Sequence, residues 1–173
     1  MKYNIEEFEF RQCDEKYLED ILQLQKEAFF TLPDKTLLRY NPPELLERCL
    51  NDPNYTLGVF HDNKLIAIGV LFDGGLTDSN LGKDIGLAEE ELCNVINAKL
   101  FIVSQKYREN GLQQLLIKKL VEKAKEKGKK IVCANVSPDN IYSICNFEKC
   151  GFVFHSEKLK FGGMRRNIYY KNI

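Results

Sequence analysis

Apolar and polar positions along the chain change their period repeatedly, and each change marks an element. Apolar residues alternate from Glu7 to Cys13 (Phe8, Phe10), which predicts a strand. Asp14 is then placed to cap a helix to about Phe30, with Leu18, Ile21, Leu22, Ala28 and Phe29 on one face. The pattern breaks up from Thr31 to Asn41. Pro42-Pro43 opens a second helix ending near Leu50, and Asn51-Asp52-Pro53-Asn54 reads as a turn.

Strands are predicted over Tyr55–His61 and Lys64–Phe72, joined as a hairpin by Asp62-Asn63. The glycine-rich, polar stretch Asp73–Gly86 is a long connection, of a length more often functional than decorative, and Leu87–Val95 suits a short helix. A strand follows over Asn97–Val103. The strongest helical pattern covers Gly111–Lys127, where Leu112, Leu115, Leu116, Leu120 and Ala124 make a wide apolar face and Gly128 a stop. Ile131–Val136 is almost continuously apolar, as an interior strand would be. Ser137 as N-cap and Pro138 at the first helical position then start a helix to about Cys150. Two closing strands, Phe152–Leu159 and Met164–Lys171, flank the Gly162-Gly163 turn. This order of elements describes one mixed α/β domain over residues 1–173.

Composition narrows the class. Twenty-five basic residues balance 25 acidic ones, so no overall field draws the chain to nucleic acid or a membrane surface. MKYNIEEFEF carries acids where a secretion signal needs an apolar core, and no apolar run approaches a bilayer span; a cytoplasmic location is expected. The six cysteines are scattered without a C-x-x-C pair, and only His61 and His155 could join them. Reduced thiols and no metal are expected, ahead of disulfides or a metal centre.

The stretch Asn97–Phe152 carries the chemistry. A strand feeding a short loop and a helix start aims several unpaired backbone N–H groups one way, and the helix dipole makes that end attractive to anions. Gly111 allows close approach to a phosphate and Arg108 offers a two-pronged contact. A glycine at a helix start is also commonly structural. The Walker pattern fails around Gly82-Lys83, where Thr77 and Asp84 stand at its required positions, and no G-x-G-x-x-G occurs. Beyond the next strand, Asn140, Ser143 and Phe147 share a helix face, suited to a long ligand with amides; alternatively, the first two simply cap and decorate a first turn.

Together the two segments resemble the GNAT superfamily of acetyl-CoA-dependent N-acetyltransferases. Arg108-Glu109-Asn110-Gly111-Leu112-Gln113 is similar to its Q/R-x-x-G-x-G/A loop, and Asn140 through Gly151-Phe152 to its N-x-x-(A/S)-x-x-x-(Y/F)-E-K-x-G-F helix. The resemblance implies a central, mostly antiparallel twisted sheet of about seven strands with a splayed parallel pair, flanked by about four helices. It implies acetyl-CoA as co-substrate and a small-molecule or peptide amine as acceptor. Phe101, Ile102 and Val103 would offer backbone groups to the pantetheine amides. Backbone N–H groups of Arg108, Glu109, Asn110, Gly111, Leu112 and Gln113 would hold the diphosphate. Asn140 and Ser143 would reach the pantetheine, and Phe147 would lie by the thioester.

Three residues depart from that pattern. Gln113 replaces a glycine or alanine, so its side chain must point away from the phosphates. Phe147 replaces the tyrosine that usually acts as general acid, and Tyr142, about 200° round the helix from Asn140, lies on the far side. Asn97 stands where some relatives carry a glutamate base; Glu91 (with Glu89 and Glu90) and Asp73 are the remaining carboxylates. The acceptor side would be built from residues 31–41, 73–86 and 161–166. Tyr40 and Arg39 are candidates to line it, and Arg165 to recognise a carboxylate unless Arg165 and Arg166 are exposed strand-edge charges. Two other functions stay open: a CoA-binding sensor or partner-binding domain without turnover, and an unrelated nucleotide-phosphate binder. Monomer and homodimer are equally compatible with the pattern.

Overall fold

A computed structural model describes residues 2–173. Seven strands form one sheet in the order β1-β2-β3-β4-β5-β7-β6. They are β1 (Glu9–Gln12), β2 (Tyr55–His61), β3 (Lys64–Phe72), β4 (Val95–Val103), β5 (Ile131–Val136), β6 (Val153–Lys160) and β7 (Met164–Asn172). Among the described residues the α-helices are α1 (Leu18–Thr31), α2 (Pro43–Arg48), α3 (Leu112–Glu126) and α4 (Ile141–Lys149), supplemented by short 3-10 turns. The mixed, mostly antiparallel architecture is the one the sequence implies, and none of these helices is long and apolar enough to cross a membrane.

Both faces of the sheet are covered. Leu112, Leu116, Leu120 and Ala124 of α3, with Phe147 of α4, pack with Ile66, Ile96, Ala98 and Val132. Ile21, Leu24 and Ala28 of α1, with Leu46 of α2, pack with Phe60, Ile68, Leu100 and Ile102 on the other face. Central β3 is therefore buried from Leu65 to Phe72, which is why it reads as continuous apolar sequence.

Every neighbouring pair is antiparallel except β4–β5. That parallel ladder covers only Val95↔Ile131, Ile96↔Val132 and Asn97↔Cys133. Beyond it, β4 continues along β3 while Ala134–Val136 continue along β7, so the two strands part. A bulge marks the place. Gly69 pairs with Phe101 and Leu71 with Ala98, so three steps along β4 oppose two along β3. Ala98 and Phe101 consequently both face α3 and α4, whereas Leu100 faces α1 and α2. Phe101, Phe147 and Phe152 form an edge-to-face chain at 5.5 and 5.0 Å on the α4 side. Burying Phe147 alone contributes about 2–3 kcal/mol.

Several local boundaries depart from expectation by a few residues, and two of these matter for the site. The strand predicted from Asn97 begins at Val95, because a 3-10 turn over Glu89–Asn94 delivers the chain to the sheet earlier. The helix predicted from Ser137 begins at Ile141. Val136 still pairs with Asn167, so the next residues turn away from the sheet, and Asn140 becomes the cap by accepting from the Ser143 N–H at 3.1 Å. Ser137 Oγ instead accepts from the Asp139 N–H.

Candidate functional site

Where β4 leaves its parallel partner, the chain runs into a 3-10 turn (Gln105–Tyr107) and then the start of α3. The turn is anchored from behind. Tyr107 is buried, stacks on Tyr3 at 4.9 Å, and its hydroxyl meets His61 Nδ1 at 3.1 Å. Asn110 ties the loop together: its side-chain carbonyl accepts from the Tyr3 N–H, and its amide donates to the carbonyls of Tyr107 and Arg108. Glu109 (φ 65°) and Gly111 (φ 71°) are both left-handed, which folds the loop tightly around Asn110.

The first backbone bond of α3 runs from the Leu115 N–H to the Gly111 carbonyl, and no side chain among the described residues caps the helix. The N–H groups of Gly111 through Gln114 are thus the orphan donors that every helix start leaves, gathered at the positive end of the dipole. A Cβ on Gly111 would meet nothing within 4 Å, so the approach to those donors is open. Arg108 beside them is exposed and makes no ion pair among the described residues. This arrangement suits a diphosphate.

The opposite wall is α4. Gln113 turns its side chain toward it, donating to Ser143 Oγ at 2.9 Å and accepting from Asn146 Nδ2 at 2.8 Å, while Gln114 donates to Asn146 Oδ1 at 2.9 Å. The bulky residue in the loop motif therefore leaves the donor fan clear by joining α3 to α4. Asn140, Ser143 and Phe147 do share a face, but Asn140 is occupied as the cap and Ser143 is engaged by Gln113. A serine accepting such a bond keeps its proton for donation. Phe147 is 2% exposed and carries no acid group; Tyr142 is 84% exposed, on the far side as its helical angle requires.

Neither candidate base lies where the strands part. Asp73 follows Phe72, which pairs with Asn97, so it sits at the joined end of β4 and β5. Its carboxylate is held by Lys129 Nζ at 2.7 Å and by the Gly75 N–H at 3.0 Å. Glu91 accepts from the Ala88 N–H and caps its own turn. Asn97 is a buried strut, accepting from the Leu81 N–H and donating to the Ser79 carbonyl at 2.7 Å. With Asn80, which bonds Gly75, Gly82 and Leu92, it fixes the 73–86 connection, and Asp84 ties that connection to Lys160 of β6.

On the α1/α2 face, Tyr40 is exposed and leans edge-on against Phe29. Arg165 does not face inward. Its guanidinium is exposed and bound by Glu157 at 2.6 Å across the β6–β7 hairpin. Its neighbour Arg166 is buried and donates to the carbonyls of Thr36 and Arg165. Strand alternation contains the signal that was missed, since Arg166 shares the parity of buried Ile168. Lys99, at the bulge, was missed too. Burial and then the Arg39 charge push its pKa below the ordinary lysine range, and the same two causes lower that of Arg166. Among the described residues, no three His, Cys, Asp or Glu side chains gather as a metal site.

Comparison with known proteins adds to this geometry. The sequence profile of the acetyltransferase (GNAT) family matches residues 18–152. Solved structures with the same fold include a Salmonella typhimurium protein bound to its cofactor acetyl-CoA (15% identity, 96% of this chain and 94% of that chain covered, TM-score 0.73). They also include an acetyltransferase of the GNAT family from Streptococcus pneumoniae (18% identity, 96% and 99% covered, TM-score 0.72). A third is a ribosomal-protein-alanine N-acetyltransferase from Brucella melitensis (16% identity, 95% and 99% covered, TM-score 0.73). No curated protein sequence matches the chain.

Proposed function

Because the chain belongs to the acetyltransferase (GNAT) family, we propose that it moves an acetyl group from acetyl-CoA to a primary amine of a small molecule or peptide. One observation carries the reading: the β4–β5 ladder stops at Asn97, and the orphan N–H groups of α3 stand at the end of the parted strand. Acetyl-CoA, when bound, supplies the activated acyl carbon. The N–H groups of Gly111 to Gln114 and the Arg108 guanidinium hold its diphosphate. Phe101 and Val103 offer main-chain groups that β5 leaves unpaired, those of Ile102 between them facing Ile68 of β3, and Ser143 donates its free proton from the facing helix. Phe147 packs by the thioester as an apolar floor.

The amine nitrogen attacks the thioester carbonyl, the new C–N bond forms, the C–S bond breaks to release the CoA thiolate, and the nitrogen passes its second proton to water. A β4 amide near the bulge steadies the negative charge gathering on oxygen. The ammonium of the acceptor first gives its proton to water, since Asp73 and Glu91 are engaged elsewhere. With no hydroxyl at position 147 the thiolate leaves unassisted, which its ordinary pKa of roughly 8.5 permits. That same feature favours a second reading, a domain that binds acetyl-CoA and signals without turnover.

Acetyl-CoA binding by calorimetry and thiol release with a panel of amines separate the two. Binding with turnover, both lost in Gly111→Trp, is the expected result. Binding without turnover on any amine gives the sensor, and no binding at all removes both.

A further inference from the structure

Several of the chain's cations have acids beside them: Lys129 has Asp73, Lys160 has Asp84, Lys127 has Asp52 and Arg165 has Glu157. Arg39, Lys99 and Arg166 form no such ion pair among the described residues; Arg39 and Arg166 meet at one ring, and Lys99 lies within reach of the Arg39 charge. Arg39 stacks its guanidinium 4.0 Å from the centroid of the Phe161 ring, and Arg166 lies 6.0 Å from the same ring. Arg166 Nη2 bridges to the Thr36 carbonyl, which fixes the β6–β7 turn against the α1–α2 connection. Lys99 Nζ sits 4.8 Å over Phe72, at the bulge two residues beyond the last β4–β5 pair.

The environment is costly for cations. Arg166 is 4% exposed, and no carboxylate offsets Arg39, Lys99 or Arg166; Arg39 bears on both of the others, and Arg48 and the Cys49 thiol also bear on Lys99. Two carbonyls satisfy part of the Arg166 fork but cancel none of its charge. Gathered like charges, partly withdrawn from water and without a counter-ion among the described residues, are stabilised when a ligand brings the counter-ion.

We propose that the acceptor is an anionic amine, whose carboxylate or phosphate seats against Arg39, Lys99 and Arg166 while its amino group faces the thioester. This rests on the acetyl-transfer reading and names the substrate class of the same site. Polyamines and basic peptides are poor acceptors, because they bring positive charge to a positive pocket.

Matched acceptors test the idea: β-alanine against its amide for carboxylate, phosphoethanolamine against ethanolamine for phosphate, and spermidine as the cationic control. At least tenfold higher kcat/KM for one anionic member is expected, and which pair shows it identifies the anion. Arg39→Gln and Arg166→Ala should each erase at least tenfold of that preference through the acceptor KM, leaving the acetyl-CoA KM unchanged. Arg166→Lys should restore part of it. If Arg166→Ala does not fold, Arg39→Gln, whose side chain only stacks on a surface ring, carries the test. Preference for spermidine or the neutral members overturns the proposal while leaving acetyl transfer standing. If no amine is turned over, transfer itself fails. The anion pocket is then decided by titrating succinate and inorganic phosphate into CoA-saturated protein, where binding weakened tenfold by Arg39→Gln sustains it and no binding overturns it.

Discussion

The two faces of β4 are built from different material. Toward α3 and α4, the parted strand and the Arg108–Gln114 turn present main-chain donors, with side chains such as Gln113 and Asn110 folded back to hold the frame. Toward α1 and α2, the surface is made by side chains from distant segments: Arg39, Lys99 and Arg166, with Phe161 between two of them. A face made of backbone serves a ligand common to a whole family. A face made of side chains is where one member differs from another. The contrast also has an energetic side, because orphan N–H groups at a helix start are left there by geometry, whereas gathered cations cost stability until a ligand arrives.

The sharpest way to break the contrast is Gly111→Trp. Gly111 holds φ 71° above open space, so the indole would cover the donors and the backbone would be strained by about 1–2 kcal/mol. Acetyl-CoA affinity is expected to fall at least 100-fold by calorimetry, about 2.7 kcal/mol, while succinate or phosphate binding on the other face stays unchanged. Loss of both together would merge the two faces into one. Next in size is Asn97→Ala, which removes both bonds that fix the connection at Ser79 and Leu81. About 2 kcal/mol of stability should be lost in urea unfolding; a change under 0.5 kcal/mol would remove its role as a strut.

Lys99→Met sharpens the contrast in the opposite direction. The folded pKa of Lys99 is depressed, so the unfolded chain holds that proton more tightly than the folded one. Its contribution to stability therefore rises as pH climbs from the depressed value toward 10.5, the reverse of a salt-bridged lysine. At neutral pH the substitution should stabilise the fold by about 1 kcal/mol and raise the anionic acceptor's KM several-fold, with acetyl-CoA binding untouched. Destabilisation would show that the ammonium is not an uncompensated charge. The smallest effect is expected for Asp73→Asn, whose carboxylate is held by Lys129 away from the parted strands. Turnover should stay within twofold, whereas a general base there would lose the 10²–10⁴-fold such a group supplies.

How much could be read from the chain follows the same division. The limits of β2, β3 and β5 coincide with the apolar runs Tyr55–His61, Lys64–Phe72 and Ile131–Val136, because burial and turn chemistry agree there. The donor turn was legible because it is local: a strand, a glycine and a helix start within a dozen residues. The start of α4 was misplaced because Ser137-Pro138 carries a strong capping signal, while β5 still needs those residues to turn out of the sheet. Glu91 and Asp73 look available as letters; only the fold reveals the Ala88 N–H and Lys129 that occupy them. The bulge at Lys99 was hidden because Leu100 to Val103 is apolar on both faces, which erases the alternation that reports a register change. Arg165 and Arg166 read alike in sequence. Which of them has an acid beside it depends on Glu157, across a hairpin.

Amide hydrogen exchange with and without acetyl-CoA tests the central claim most directly, since it reports on the main chain itself. Protection is expected at Gly111–Gln114 and along the β4 segment Phe101–Val103, with little change at residues 36–39 and 161–166. Unchanged exchange across both cofactor segments at saturating acetyl-CoA, or protection confined to the arginine-lined face, would contradict it.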